Sequence, residues 1–125
     1  MKLLVIDDDN GFVYMVNSIF SEHTVDQAMT VPAAEQYLAE NVPDVVFVDF
    51  LLPGNSDGLE LIQLLKEDTR FENTFIVGLT ASSTADSRVK AMMDYCDLFY
   101  SKPFSLLTVS QELQARGVLD SSITV

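Results

Sequence analysis

Four short apolar runs along the chain each end in a polar residue, and this pattern limits the folds that the chain can adopt. The runs cover residues 3–6, 45–48, 75–79 and 98–100, and segments with helical spacing of apolar residues lie between them. Strands that alternate with helices favour a parallel sheet covered by helices on both faces. The second and third runs are almost wholly apolar, which is typical of central parallel strands buried on both faces.

The pattern predicts five strands and five helices in strict alternation. We expect strands at residues 2–6, 24–29, 44–48, 74–79 and 97–100. We expect helices at residues 11–22, 30–41, 57–68, 83–95 and 105–116, the second capped by Thr30 and the third beginning at Asp57. The second strand contains several polar residues and is therefore predicted to lie at an edge of the sheet.

The chain has 125 residues, close to the commonest size of a single domain, and no repeat or linker divides it. We expect one domain over residues 1–125 with no separate output domain. The formal net charge is −12 and the 7 basic residues are scattered, which argues against direct binding of nucleic acid. No apolar run reaches the roughly 18 residues of a membrane span. The single cysteine cannot form an internal disulfide, which favours a cytoplasmic location.

The polar residues that follow the runs are of different chemical types. They are Asp7 and Asp8, Asp49, Thr80 and Lys102. Because ligands of open parallel sheets bind outside the carboxyl ends of the strands, we expect these side chains to share one crevice. Carboxylates that share a site repel one another unless a cation neutralises them, and hard oxygen ligands suit Mg²⁺. Taken one at a time, each has an ordinary alternative: a turn or cap for Asp49, a strand preference for Thr80 and a solvated surface for Lys102.

Together these segments resemble the receiver domain of bacterial two-component response regulators, such as the chemotaxis regulator. The matching segments are Val5-Ile6-Asp7-Asp8, Asp49 with Pro53 and the Asp57-Gly58 pair, Leu79-Thr80-Ala81, and Lys102-Pro103-Phe104. They occur in the family's order and span essentially the whole chain. The resemblance implies a flavodoxin-like, doubly wound sheet of strand order 2-1-3-4-5 with five helices on both faces.

The resemblance also implies a function and a site. Asp49 would accept a phosphoryl group from a phosphohistidine on a sensor histidine kinase or a histidine phosphotransfer protein. Thr80 and Lys102 would bind the phosphoryl oxygens. The ligands of Mg²⁺ would be Asp8, Asp49 and the backbone carbonyl of Leu51, with Asp7 acting through water. Such a protein is not an enzyme acting on a separate substrate, although it catalyses its own phosphorylation and slow dephosphorylation.

In this family the switch threonine, here Thr80, moves toward the phosphoryl group and an aromatic residue, here Phe99, turns inward. The surface of helix 4, strand 5 and helix 5 then changes, and this surface is where a homodimer would form. Phe99 could equally be a plain core aromatic. Partners would dock at helix 1, for which Tyr14 and Met15 are the candidate contacts. Leu51 is apolar and cannot orient a hydrolytic water, so we expect slower self-dephosphorylation than with Asn at this position.

Two other functions remain open from the residues alone. One is a receiver-like docking module that takes no phosphate. The other is a phosphatase of the haloacid dehalogenase type, since Asp7-Asp8-Asp9 contains an Asp-x-Asp pair. Such an enzyme would leave Asp49 without a role, and it needs a further acidic metal motif after Lys102.

Overall fold

The computed structural model describes residues 1–53, 58–81 and 87–118. Five strands form one sheet in which every neighbouring pair is parallel, in the order β2-β1-β3-β4-β5. The strands are β1 (Lys2–Ile6), β2 (Thr24–Ala28), β3 (Val45–Asp49), β4 (Phe75–Thr80) and β5 (Leu98–Ser101). The predicted fold class and strand order are confirmed, and the polar strand β2 does lie at an edge.

The helices of the described residues alternate with the strands. They are α1 (Asn10–Ile19), α2 (Val31–Glu40), α3 (Gly58–Glu67), α4 (Ser87–Tyr95) and α5 (Leu106–Ala115), with a short 3₁₀ turn at Thr69–Phe71. The starts predicted for the third helix at Asp57 and the fourth at residue 83 fall outside the described residues. Across those residues, no helix is both long enough and apolar enough to cross a membrane.

Within the described residues, three α-helices begin with an N-cap side chain that accepts a hydrogen bond from the first turn. Thr30 caps α2 by accepting from the Ala33 N–H, as the sequence predicts, and Ser105 caps α5. Asp9 caps α1 by accepting from the Phe12 N–H at 3.2 Å. This cap fixes where α1 starts, directly after the acidic residues that follow β1.

Some predicted boundaries were wrong by a few residues, for physical reasons. Helix α1 ends at Ile19 rather than at residue 22, because the fully buried Phe20 turns the chain and its carbonyl accepts from the His23 N–H. Strands β3 and β4 each extend one residue further than predicted. Asp49 and Thr80 are thus the last residues of their strands, so the backbone of the sheet holds both of them.

The core lies on both faces of the sheet. On one face, alternate residues such as Leu4 and Val46 pack with α2, α3 and α4. On the other face, Leu3 and Phe47 pack with α1 and α5. The period of two along each strand sends successive side chains to opposite faces, and both faces are covered. The polar residues at the carboxyl ends of the strands are therefore attached to a sheet that is packed on both faces.

Candidate functional site

Three acidic side chains meet at the carboxyl ends of β1 and β3. Asp7 and Asp8 directly follow β1, and Asp49 ends β3, which is the strand next to it. Carboxylate oxygens of the three residues all lie within 4.8 Å of one another. Asp7 and Asp49 are buried, whereas Asp8 is exposed. The sequence prediction that these carboxylates share one crevice agrees with this geometry.

Lys102 joins two of these carboxylates. Its Nζ lies 2.8 Å from Asp7 Oδ2 and 3.2 Å from Asp49 Oδ2, and only 21% of its side chain is exposed. The Lys102 backbone N–H donates to the Thr80 carbonyl at 2.6 Å, and the Lys102–Pro103 peptide bond is cis. The two ion pairs place the ammonium at the ends of β1 and β3.

Asp7 is held by contacts that the sequence did not predict. Its Oδ1 accepts from the Asp9 N–H at 3.0 Å. Gln27, near the end of β2, donates from Nε2 to the Asp7 carbonyl at 3.2 Å and to Asn10 Oδ1 at 3.1 Å. The only signal in the sequence is a polar residue near the end of an edge strand. These bonds fix the loop that carries the first two acidic residues.

The pKa of Asp49 is set by opposing effects of burial and of its charged neighbours. Burial raises the pKa of Asp49 from 3.8 to about 6, and the nearby Asp7 charge adds to this, while Lys102 and the Leu51 N–H lower it. At pH 7 a carboxyl with a pKa near 6 is still roughly nine-tenths ionised. Asp49 is therefore mostly ionised at pH 7, and a bound cation would favour the charged form further.

The ammonium of Lys102 is firmly protonated. Burial alone would lower the pKa of Lys102, but the hydrogen bond to Asp7 and the charge of Asp49 outweigh burial and raise it above its ordinary value. Among the residues that the structure describes, the pocket therefore contains one permanent positive charge beside three carboxylates. That excess of negative charge favours a divalent cation.

Gly58 allows a close approach of α3 to β3, which the Asp57-Gly58 pair in the sequence did not predict. It begins α3, and its N–H donates to the Phe50 carbonyl at 2.8 Å. A Cβ at this position would collide with the backbone carbonyl of Asp49 and would lie 3.0 Å from Val48 Cγ1. Only glycine lets α3 approach the end of β3 so closely. Its predicted partner Asp57 lies outside the described residues.

The remaining predicted site residues are Thr80, Leu51 and Phe99, and they differ in burial and in their contacts. Thr80 is fully buried at the end of β4, one residue beyond Leu79, which pairs with Asp49. The side chain of Leu51 is exposed, and its N–H donates weakly to Asp49 Oδ1 at 3.4 Å. Phe99 is half-buried and packs against the core cluster to which α4 contributes.

The donor set is that of a hard divalent cation. Three carboxylates converge, the exposed Asp8 leaves room for water, and oxygen ligands with retained waters suit Mg²⁺. The residues present therefore fit the metal that the sequence predicts. The Lys102 ammonium beside the carboxylates adds a positive charge at the same edge of the sheet.

The fold and this pocket define a class of α/β protein with carboxylates and a lysine at the carboxyl edge of a parallel sheet. The family model described as the response regulator receiver domain matches residues 3–114, and the chain belongs to this family. It is a receiver domain of the kind found in two-component signal transduction. The family resemblance seen in the sequence is confirmed.

Individual relatives agree with the family. The response regulator Rre1 of Synechocystis is 34% identical over 107 residues, which are 83% of this chain and 46% of that protein. The phosphate regulon transcriptional regulatory protein PhoB of Klebsiella pneumoniae is 32% identical over 92% of this chain and 49% of that protein. The chain thus spans about half the length of the curated relatives it matches.

Solved structures share the fold. The receiver domain of a DNA-binding response regulator from Colwellia psychrerythraea aligns with a TM-score of 0.81 and 21% identity, over 95% of this chain and 99% of that one. The receiver domain of the Francisella response regulator 1452 aligns with a TM-score of 0.76 and 24% identity, over 91% and 93% of the two chains. These likenesses show the receiver fold.

Proposed function

We propose that Asp49 is the phosphoacceptor of this receiver domain and takes its phosphoryl group from a phosphohistidine on a sensor histidine kinase or a histidine phosphotransfer protein. The observation that carries the proposal is the Lys102 ammonium, which contacts both Asp7 and Asp49 at the carboxyl edge of the sheet. A buried carboxylate beside a fixed cation, in a receiver fold, is suited to accept a phosphoryl group.

The residues of the chain would act mainly by position and charge. An oxygen of Asp49 attacks the phosphorus while the phosphorus–nitrogen bond of the donor breaks, and the leaving imidazole takes up a proton from solvent. Lys102 and the Thr80 hydroxyl bind the oxygens of the transferred group. A loose phosphoryl-transfer transition state needs positioning and electrostatic stabilisation more than covalent chemistry. In this sense the chain catalyses its own phosphorylation and slow dephosphorylation.

Mg²⁺ fits the pocket as the metal of this reaction. Asp8, Asp49 and the Leu51 carbonyl would hold the ion directly, and Asp7, whose two oxygens already accept from Asp9 and Lys102, would act through water. When bound, the ion neutralises charge that develops on the phosphoryl oxygens. The permanent charge of Lys102 supplies the same kind of stabilisation from the side of β5.

The donor protein would dock on α1 and the adjoining cleft. Tyr14 is 74% exposed and Met15 is 51% exposed, both on α1. Met15 also lines a mainly apolar cleft of about 570 Å³ that extends to Lys102, Phe104 and Leu106. A partner helix placed there would bring a phosphohistidine to the mouth of the acidic pocket. This arrangement suits the cytoplasm, where such donors act.

The switched surface would be formed by α4, β5 and α5. Thr80 would follow the phosphoryl group, and Phe99 would change its packing against α4. Met93 and Tyr95 on α4 and Leu107 on α5 are exposed apolar side chains on these elements. We infer that phosphorylation alters this surface and promotes binding of a second copy or another partner.

Intact mass spectrometry tests the proposal. The protein is incubated with Mg²⁺ and either acetyl phosphate or phosphoramidate, the second of which mimics the phosphorus–nitrogen bond of phosphohistidine. Wild type and Asp94→Asn, which changes an exposed acidic residue of α4, should each gain the mass of one phosphoryl group. Asp49→Asn should gain none. A folded wild type that takes no phosphoryl group from either donor would refute the proposal and favour the docking module.

A further inference from the structure

The ring of Phe12 lies beside the ammonium of Lys102. Lys102 Nζ is 5.2 Å from the centroid of the ring, within the distance at which the face of an aromatic ring attracts a cation. Phe12 is buried, with 8% exposure, and it also borders the cleft next to the acidic pocket. The sequence presents it only as one of the apolar residues of α1.

The ring cannot turn away easily, because aromatic neighbours and a helix cap hold it. It makes edge contacts with Phe47 at 6.3 Å and with Phe104 at 5.9 Å between centroids. Phe104 is in turn stacked on Tyr100 at 5.2 Å. The backbone N–H of Phe12 donates to the capping carboxylate of Asp9. The position of the ring is therefore set by α1, β3 and the segment after β5 together.

We propose that Phe12 is a positioning residue for Lys102, whose ammonium it holds in the acidic pocket by a cation–π interaction. The proposal rests on the proposed function, since it concerns the same phosphoryl-binding lysine. The lysine stem is flexible, and the negative charge that attracts the ammonium changes when a cation binds or when Asp49 is phosphorylated. The ring is neutral and fixed, so its attraction stays the same through these changes.

Fluorinated phenylalanines at position 12 separate this attraction from packing. Successive fluorine atoms weaken the negative face of the ring while nearly preserving its shape. We expect the rate of phosphorylation of Asp49 by acetyl phosphate to fall stepwise along the series, by about two- to fivefold in all, the range for a partly exposed cation–π pair. The rate is followed by intact mass at several concentrations of donor.

Phe20 provides a matched control. It lies at the C-terminal end of α1, is fully buried, and packs on the same Phe47 with 6.1 Å between ring centroids. Within the described part of the chain its ring is not paired with a lysine. The same fluorinated series at position 20 should leave the rate unchanged. A flat series at position 12, or equal falls at both positions, would overturn the proposal.

Nuclear magnetic resonance gives a second measurement that does not depend on phosphorylation. The ring current of Phe12 should move the Hε protons of Lys102 upfield of those of Lys2, Lys66 and Lys90. This shift should vanish in Phe12→Leu and persist in Phe20→Leu. Its absence from wild type would refute the cation–π contact. A wild type that shows the shift but takes no phosphoryl group would refute the proposed function and leave the contact standing.

Discussion

Removal of the charge of Asp49 should stabilise the fold, and the structure gives the size of the effect. Asp49 is buried, with 8% of the residue exposed, and its carboxyl lies against Asp7. The rise of its pKa from 3.8 to about 6 corresponds to about 3 kcal/mol of cost for ionising it in the folded state. Because 11% of the Asp49 side chain remains in contact with solvent, screening reduces this cost to about 2 kcal/mol. We expect Asp49→Asn to gain about that much stability at pH 7.

The pH dependence follows from the direction of the shift. The folded-state pKa of Asp49 is raised, so its protonation favours folding below the unfolded value of 3.8 and this benefit is lost as pH rises through about 6. Wild type should therefore approach the stability of Asp49→Asn as the pH falls. The difference between the two proteins should shrink to about 0.4 kcal/mol at pH 4.

Urea unfolding in EDTA at pH 7 and pH 4 measures this difference. Glu72→Gln is the matched control, because it removes one negative charge from an exposed residue of the same chain and should change little at either pH. Mg²⁺ at a hundred times its dissociation constant should stabilise wild type by about 2.7 kcal/mol and Asp49→Asn by less. The reasoning is wrong if Asp49→Asn is no more stable than Glu72→Gln at pH 7, or if its gain is undiminished at pH 4.

Three further changes test other parts of the site. Leu51→Asn should shorten the half-life of the phosphorylated protein severalfold, since an amide can orient the hydrolytic water; an unchanged half-life in a timed mass measurement would contradict this. Gly78→Ala should cost about 2 kcal/mol in urea unfolding, because its Cβ would lie 2.6 Å from both Cys96 Sγ and a ring carbon of Phe99. Lys102→Met should raise the pKa of Asp49 further and slow its phosphorylation by about a hundredfold, as judged by the rate of mass gain; a rate near that of wild type would contradict the role of the ammonium.

The order of strands and helices could be predicted because each element carries its own periodicity. The nearly continuous apolar residues of β3 and β4 indicate strands that are buried on both faces, and the polar residues of β2 indicate a strand at the edge of the sheet. The ends of elements were predicted less well. Nothing local in Phe20 indicates that its burial stops α1 early, and only the ladder shows that Asp49 still pairs within the sheet.

The acidic residues of the site could be found from the sequence because each follows an apolar run. The residues that support them could not be found in this way. Gly58 matters through its close approach to the Asp49 carbonyl, and Gln27 through a bond across the sheet. The contact of Phe12 with Lys102 joins residues far apart in the chain, and apolar spacing on a helix predicts burial but not which cation the ring will face.

The charges of the pocket also suggest why phosphorylation would be felt beyond it. Three carboxylates and one ammonium leave a net charge near −2, which a divalent cation balances. An aspartyl phosphate replaces one charge of Asp49 by roughly two, together with three strong acceptor oxygens. Lys102, which already contacts Asp49 at 3.2 Å, can respond to this added charge, and we expect the Thr80 hydroxyl to do so as well. The Lys102 N–H donates to the Thr80 carbonyl at 2.6 Å, so a movement of either residue would also move the ends of β4 and β5. Phe99 of β5 packs on Gly78 of β4 close to these ends.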